Sequence, residues 1–405
     1  MRRRTAKNVC GLVPLALNPF HAGFPGKRNS ARCAVLTILL LPLFLMACRS
    51  NDDDGGGAPS GTATALCEQS DYAATPYELE VPYFFPDPII PADNPMTLEG
   101  VELGRFLFWE KALSRNNAVS CGSCHFPAAA FSDDKPFSFG LYGEPTDRNS
   151  MGIINLAWVK DFFWDGRASS LEEQILEPLV HPVEMDFTWA EAVERIGEDP
   201  EYQQRFEAAF GTACVDSVRM VKSIAQFMRT MISHRSKFDK ARYYGEALLS
   251  PAENRGLELF LAEGGDPAFV DGGQGGGDCF HCHGGDLILF TDNLFRNNGL
   301  DTVFTDLGRA DHTGNPWDEA TFRTPTLRNI ALTAPYMHDG RFATLDEVID
   351  HYDMGGHFSA TLDPLMKLQG IGLSLSPQDK ADLIAFLETL TDYEFIENEA
   401  FHDPH

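Results

Sequence analysis

Four cysteines and two histidines stand in one repeated pattern. Cys121-Gly122-Ser123-Cys124-His125 and Cys279-Phe280-His281-Cys282-His283 both read C-x-x-C-H. At that spacing two thiols add to the vinyl groups of a haem, and the next residue, a histidine, coordinates the iron. A lone C-x-x-C also suits a redox dithiol or half of a zinc site. Two copies, each with its histidine, in a chain that carries an export signal point instead to two covalently bound c-type haems.

The elements around each copy repeat as well. Thr97 is placed to cap a helix through Leu98, Val101, Leu103, Phe106, Leu107 and Trp109, ahead of the first motif. Ser250-Pro251-Ala252-Glu253 opens a second helix as a capping box, ahead of the second motif. Gly104 to Phe108 and Gly256 to Phe260 occupy equivalent places. Ser223 to Met231 parallels Asp382 to Leu390 near the end of each half. This predicts a mainly α protein made of two cytochrome c-like haem domains, 97–245 and 246–395, arising from internal duplication. Glycine-rich 264–278 reads as a surface loop.

Residues 1–47 hold seven of the 32 basic residues and none of the 59 acidic ones. They end in an apolar run from Ala34 to Ala47, the pattern of a secretory signal. Leu45-Met46-Ala47-Cys48 resembles a lipobox, which would leave Cys48 as a lipidated first residue and the protein exported to the periplasm. The bland alternative is an ordinary signal cut nearby. Residues 48–96 read as a tether followed by an extended arm rich in proline. Without its leader the chain is more acidic than the net −27 of the whole, which excludes nucleic acid as a partner. Cys67 and Cys214 remain, either as a disulfide or as two thiols.

Between the haem motifs lie Phe163-Trp164-Asp165-Gly166-Arg167-Ala168, Leu171-Glu172-Glu173-Gln174 and Pro182-Val183-Glu184-Met185. After the second come Thr324-Pro325-Thr326-Leu327-Arg328-Asn329-Ile330 and Thr333-Ala334-Pro335-Tyr336-Met337-His338-Asp339-Gly340. With both haem motifs in order, residues 97–393 resemble the bacterial di-haem cytochrome c peroxidase and MauG family. The resemblance implies catalytic roles for Glu184, which would move a proton during peroxide cleavage, for Gln174, a hydrogen-bond partner of bound peroxide, and for Trp164, between the haems. It also implies a calcium ion on the Asn149 side chain and the carbonyls of Thr333 and Pro335. Relatives are often dimers.

Two departures set the subtype. The family's blocking histidine belongs in the loop after the first motif, but 126–147 contains none, and Leu141 follows Gly140 where it would stand. The first haem is therefore expected to be five-coordinate and open. The distal ligand of the second haem, methionine in typical peroxidases, falls on Tyr352, as in MauG, with His351 and Met354 as alternatives. The expected activity is reduction of hydrogen peroxide with electrons from a small donor, a cytochrome c or a cupredoxin. The alternatives are a MauG-like oxidase acting on a side chain of a partner protein, and a di-haem electron carrier without catalysis.

Overall fold

The computed structural model describes residues 67–68, 71–265 and 275–405. The leader, Cys48, the tether and most of the glycine-rich loop lie outside them. The described chain is rich in helix. Its longer helices are α1 (Leu98–Trp109), α2 (Leu171–Val180), α3 (Trp189–Gly197), α4 (Pro200–Phe210), α5 (Ser217–Arg229), α6 (Pro251–Leu261), α7 (Leu345–Met354) and α8 (Pro377–Glu388). The one sheet among the described residues pairs β1 (Phe295–Arg296) antiparallel with β2 (Phe322–Arg323). No described helix is long and apolar enough to cross a membrane.

The two helices that precede the haem motifs start as their sequences predict. The Thr97 hydroxyl accepts from Gly100 N–H at 3.1 Å. Ser250 and Glu253 cap each other's backbone, with Pro251 at the first helical position. Each helix then crosses the terminal helix of its half at a glycine. A Cβ on Gly104 would stand 1.8 Å from the Ser223 carbonyl oxygen of α5, and one on Gly256 would stand 1.9 Å from that of Asp382 on α8. Only a hydrogen side chain lets the backbones approach so closely.

Two apolar cores follow. The first gathers Leu103, Leu107 and Phe108 of α1 with Ile224 and Phe227 of α5, and is walled by Ile175, Ile196 and Phe206. The second gathers Leu259 and Phe260 with Phe290, Ile349, Leu383 and Phe386. Burying each such side chain contributes about 1.5–3 kcal/mol. The cores exchange segments: Phe238, from the stretch joining the halves, packs in the second, while Phe395 and Phe401 of the C-terminal tail pack in the first. A buried pair, Arg328 with Asp239 at 2.8 Å, fastens the joining stretch to the second half.

The described residues of the arm form no helix, as its prolines dictate, but they are firmly packed. Phe84 stacks on Tyr243 at 3.8 Å, Phe85 meets the Trp158 ring edge-on, and the Trp158 indole donates to the Pro86 carbonyl at 2.8 Å. Cys67 is bonded to Cys214, joining the arm to the segment before α5.

Candidate functional site

The first haem motif is a tight 3-10 turn, Cys121–Ser123, placed by α1: the Trp109 ring lies where a Cβ on Gly122 would be, 2.1 Å away. His125 follows. Its Nδ1 faces the Phe131 carbonyl at 2.9 Å, which leaves Nε2 for iron. The second motif repeats this arrangement, with a 3-10 turn at Cys279–His281 and His283 Nδ1 facing the Phe290 carbonyl at 3.3 Å. Burial holds His125 below the usual imidazole range and pushes His283 down to about 4, so both rings are the neutral donors a metal needs. The sulfurs of the four motif cysteines stand for the thioether sulfurs of attached haem. Burial raises Cys121 and Cys279 to about 12 and Cys124 and Cys282 to about 11.

The surroundings of the two motifs differ. A turn beyond α2 carries Glu184. The His181 carbonyl accepts from both Glu184 N–H (3.1 Å) and Asp186 N–H (3.0 Å). The loop that follows the first motif braces this turn: Leu141 N–H reaches the carbonyls of Val183 and Glu184, both at 3.0 Å. Gly140 lies against Val183, where a Cβ would come within 1.7 Å of its carbonyl oxygen. Glu184 keeps a third of its side chain exposed. Even so, its pKa is raised to about 7, first by burial and then by Glu177 and Asp147, against the opposing charge of Arg167. Its charge is also felt at Cys121 and Cys124, which places it at the first motif. Gln174 is half-buried in α2, a helix capped by Ser170 and held to α5 by Glu172 and Arg229 at 2.8 Å.

At the second motif a large cavity is lined by Cys279, Cys282, His283, Trp164 and Tyr352. Tyr352 lies on α7, which the Thr344–Glu347 box caps as its sequence predicts. Burial pushes the phenol up to about 12, and its oxygen accepts from Asn298 Nδ2 at 3.1 Å. The alternatives point elsewhere. His351 Nε2 is turned to the Asn298 carbonyl at 3.0 Å, and Met354 is half-exposed at the end of α7. Neither lines the cavity, whereas Met337 and Met366 do. No sequence pattern marked Met366.

Trp164 joins the halves. Its indole donates to the Asn149 carbonyl at 2.8 Å, and its own carbonyl accepts from Arg323 N–H at 2.7 Å. Asn149 is buried, with Nδ2 directed to the carbonyls of Lys135 and Pro136, so Oδ1 is the atom left for a cation. Thr333 and Pro335 are among the residues that line the same large cavity as Asn149.

Two covalent haem sites, one beside a carboxyl titrating near neutrality and the other beside a buried phenol, define a di-haem c-type oxidoreductase. The family model described as di-haem cytochrome c peroxidase matches residues 98–247. Methylamine utilization protein MauG of Methylorubrum extorquens is 36% identical over 335 residues, 82% of this chain and 88% of that protein. Cytochrome c551 peroxidase of Nitrosomonas europaea is 32% identical over 311 residues, 75% of this chain and 84% of that one. The crystal structure of a MauG-like protein associated with microbial copper homeostasis superposes with a TM-score of 0.72 at 37% identity, covering 81% of this chain and 99% of that one. The diheme peroxidase BthA of Burkholderia thailandensis, at 23% identity and a TM-score of 0.62, shares the fold. The chain belongs to the di-haem cytochrome c peroxidase family: it is a haem peroxidase with two c-type haems.

Proposed function

We propose that the two sites divide the work of hydrogen peroxide reduction, the first reacting with peroxide and the second relaying electrons from a small cytochrome c or cupredoxin. When bound, the haem on Cys121, Cys124 and His125 supplies the ferric iron at which the O–O bond is cleaved, and that on Cys279, Cys282 and His283 supplies the electrons. Glu184, as carboxylate, takes the proton from the near oxygen of peroxide and returns it to the far one. The Gln174 amide orients peroxide by a neutral hydrogen bond. Trp164 offers its π-system between the halves, and calcium on Asn149, Thr333 and Pro335 would hold the joint around it. The Tyr352 phenol, which lines the cavity at the second motif, would supply the other ligand of the haem held there. With Leu141 where a blocking histidine would stand, the first site needs no prior reduction.

The observation that carries this reading is Glu184, whose charge is felt at the two cysteines of the first motif and whose carboxyl pKa is raised by burial to about 7. Steady-state oxidation of reduced cytochrome c by peroxide tests it. Turnover that is lost in Glu184→Gln, with both haems still attached, is the expected result. Full turnover in that variant would remove Glu184 from the mechanism.

Tyr352 favours a second reading, a MauG-like oxidase that directs the same oxidising equivalents at a side chain of a partner protein. An anionic phenolate oxygen stabilises oxidised iron, and relatives carrying the MauG name are 36% and 32% identical. Peroxide consumption that goes unanswered by reduced carriers but oxidises a co-purifying protein would select it. The repeated helix–motif–helix plan is read as an internal duplication, the leader as an export signal, and Cys48 as a periplasmic lipid anchor.

A further inference from the structure

We infer that His181 connects the Glu184 carboxyl to solvent protons, a positioning residue that acts through Glu184. This rests on the reading of Glu184 given above. His181 ends α2, and its carbonyl closes the turn by taking the N–H groups of Glu184 and Asp186. That closure brings the imidazole and the carboxyl, three residues apart, to the same side. Nδ1 stands 3.5 Å from Glu184 Oε1. The contact is slightly too long to be a formed hydrogen bond, and Nδ1 is a buried polar atom with no other partner. Such orphaned atoms are rare in native proteins and call for a use. The rest of the ring is open, since the side chain as a whole is 39% exposed. One nitrogen thus faces the carboxyl while the other edge of the ring reaches towards water. Because Leu141 and Gly140 hold the turn's backbone, a small rotation of either side chain completes the bond.

The stoichiometry asks for such a group. Each hydrogen peroxide reduced to two waters consumes two electrons and two protons. The electrons come from the donor protein. Glu184 can pass a proton between the two peroxide oxygens, but the two protons consumed must arrive from solvent. An imidazole accepts a proton at Nε2 and gives one up at Nδ1, which leaves it in the other tautomer, and rotation of the ring or exchange with water resets it before the second proton passes. The other charged groups around Glu184 are Arg167, Glu177 and Asp147. Arg167 is engaged with Glu177 at 2.7 Å and Asp165 at 3.0 Å, and a guanidinium does not release its proton. Asp147 acts on Glu184 only through its charge. His181 combines an unpartnered nitrogen facing the carboxyl with a partly exposed ring.

The test compares His181→Gln and Glu184→Gln with the unaltered protein, both haems attached. Three readouts are needed: the stopped-flow rate with peroxide against pH, the effect of free imidazole on that rate, and the infrared carboxyl stretch of Glu184, identified by its loss in Glu184→Gln. His181→Gln should slow the peroxide reaction about tenfold at neutral pH, less than loss of Glu184, because water still reaches a partly exposed carboxyl. Free imidazole should restore most of that loss. The Glu184 carboxyl band should titrate at higher pH in His181→Gln, because a donor to the carboxylate is gone. An unchanged rate and an unmoved band, with Glu184→Gln still slow, would overturn the role of His181 and leave that of Glu184 standing. A slow variant that imidazole does not rescue, with an unmoved band, would make His181 merely structural and also overturn it. A first haem that turns from low-spin to high-spin in His181→Gln would make His181 an iron ligand, with the same consequence. Full speed in Glu184→Gln would end both readings together.

Discussion

The two haem sites share a scaffold and differ in what faces it. Each begins with a capped helix that crosses its terminal helix at a glycine, Gly104 on Ser223 and Gly256 on Asp382. Each holds its histidine by a carbonyl, Phe131 for His125 and Phe290 for His283. At the first site the chain then presents Glu184 on a braced turn just beyond α2. At the second it presents Tyr352, buried on α7. The shared parts hold the two motifs alike, and in the reading proposed here the parts that are not shared set the two haems apart.

The sharpest way to break this contrast is to remove its acid–base half. Glu184→Gln should slow the peroxide reaction by roughly 10²–10⁴-fold, as loss of a positioned proton carrier does, with haem content unchanged. In the unaltered protein the peroxide rate should fall as pH drops through about 7, because the working form is the carboxylate and Glu184 protonates there. A carboxyl at the ordinary position would hold its rate well below that, so a plateau extending into acid would contradict the assignment.

Next comes the other half of the contrast. Tyr352→Met should raise the reduction potential of the second haem within the about 0.8 V that axial ligands span. Spectroelectrochemical titration reads this directly, and the first haem should hardly move.

Much of this contrast is legible in the sequence, and for physical reasons. Haem attachment needs fixed covalent spacing, so the two C-x-x-C-H motifs mark themselves. Caps obey local hydrogen-bond rules, which is why Thr97, Ser250 and Thr344 all begin helices where the sequence places them. What stayed hidden is non-local. Helices α3 and α4 carry no site motif, and nothing near Phe395 or Phe401 indicates that the tail packs in the opposite core. Phe84 and Phe85 lie among prolines, yet they pack tightly on Tyr243 and Trp158. The partnership of His181 with Glu184 depends on a turn closed by its own carbonyl, which no spacing rule announces. Cys67 and Cys214 were recognisable as leftovers, but their bond spans a separation of 147 residues that only the fold brings together.

Smaller effects sharpen the comparison of the shared parts. Cys214→Ser should lower stability by about 2–4 kcal/mol, by releasing the long loop in the unfolded chain. Denaturant titration should show the loss, with peroxide chemistry intact because the bond joins the arm to the segment before α5 and supplies no residue of either motif. Gly104→Ala and Gly256→Ala should each cost about 1–3 kcal/mol through overpacking against backbone. Similar losses at the two positions would support equivalent crossings, and a loss confined to one would separate them.

The central claim, that one haem is open to peroxide and the other closed, is tested most directly by electron paramagnetic resonance of the ferric protein before and after stoichiometric peroxide. The account predicts one high-spin and one low-spin haem as isolated, with reaction on addition of peroxide and no prior reduction. Two low-spin haems that respond only after partial reduction would contradict it.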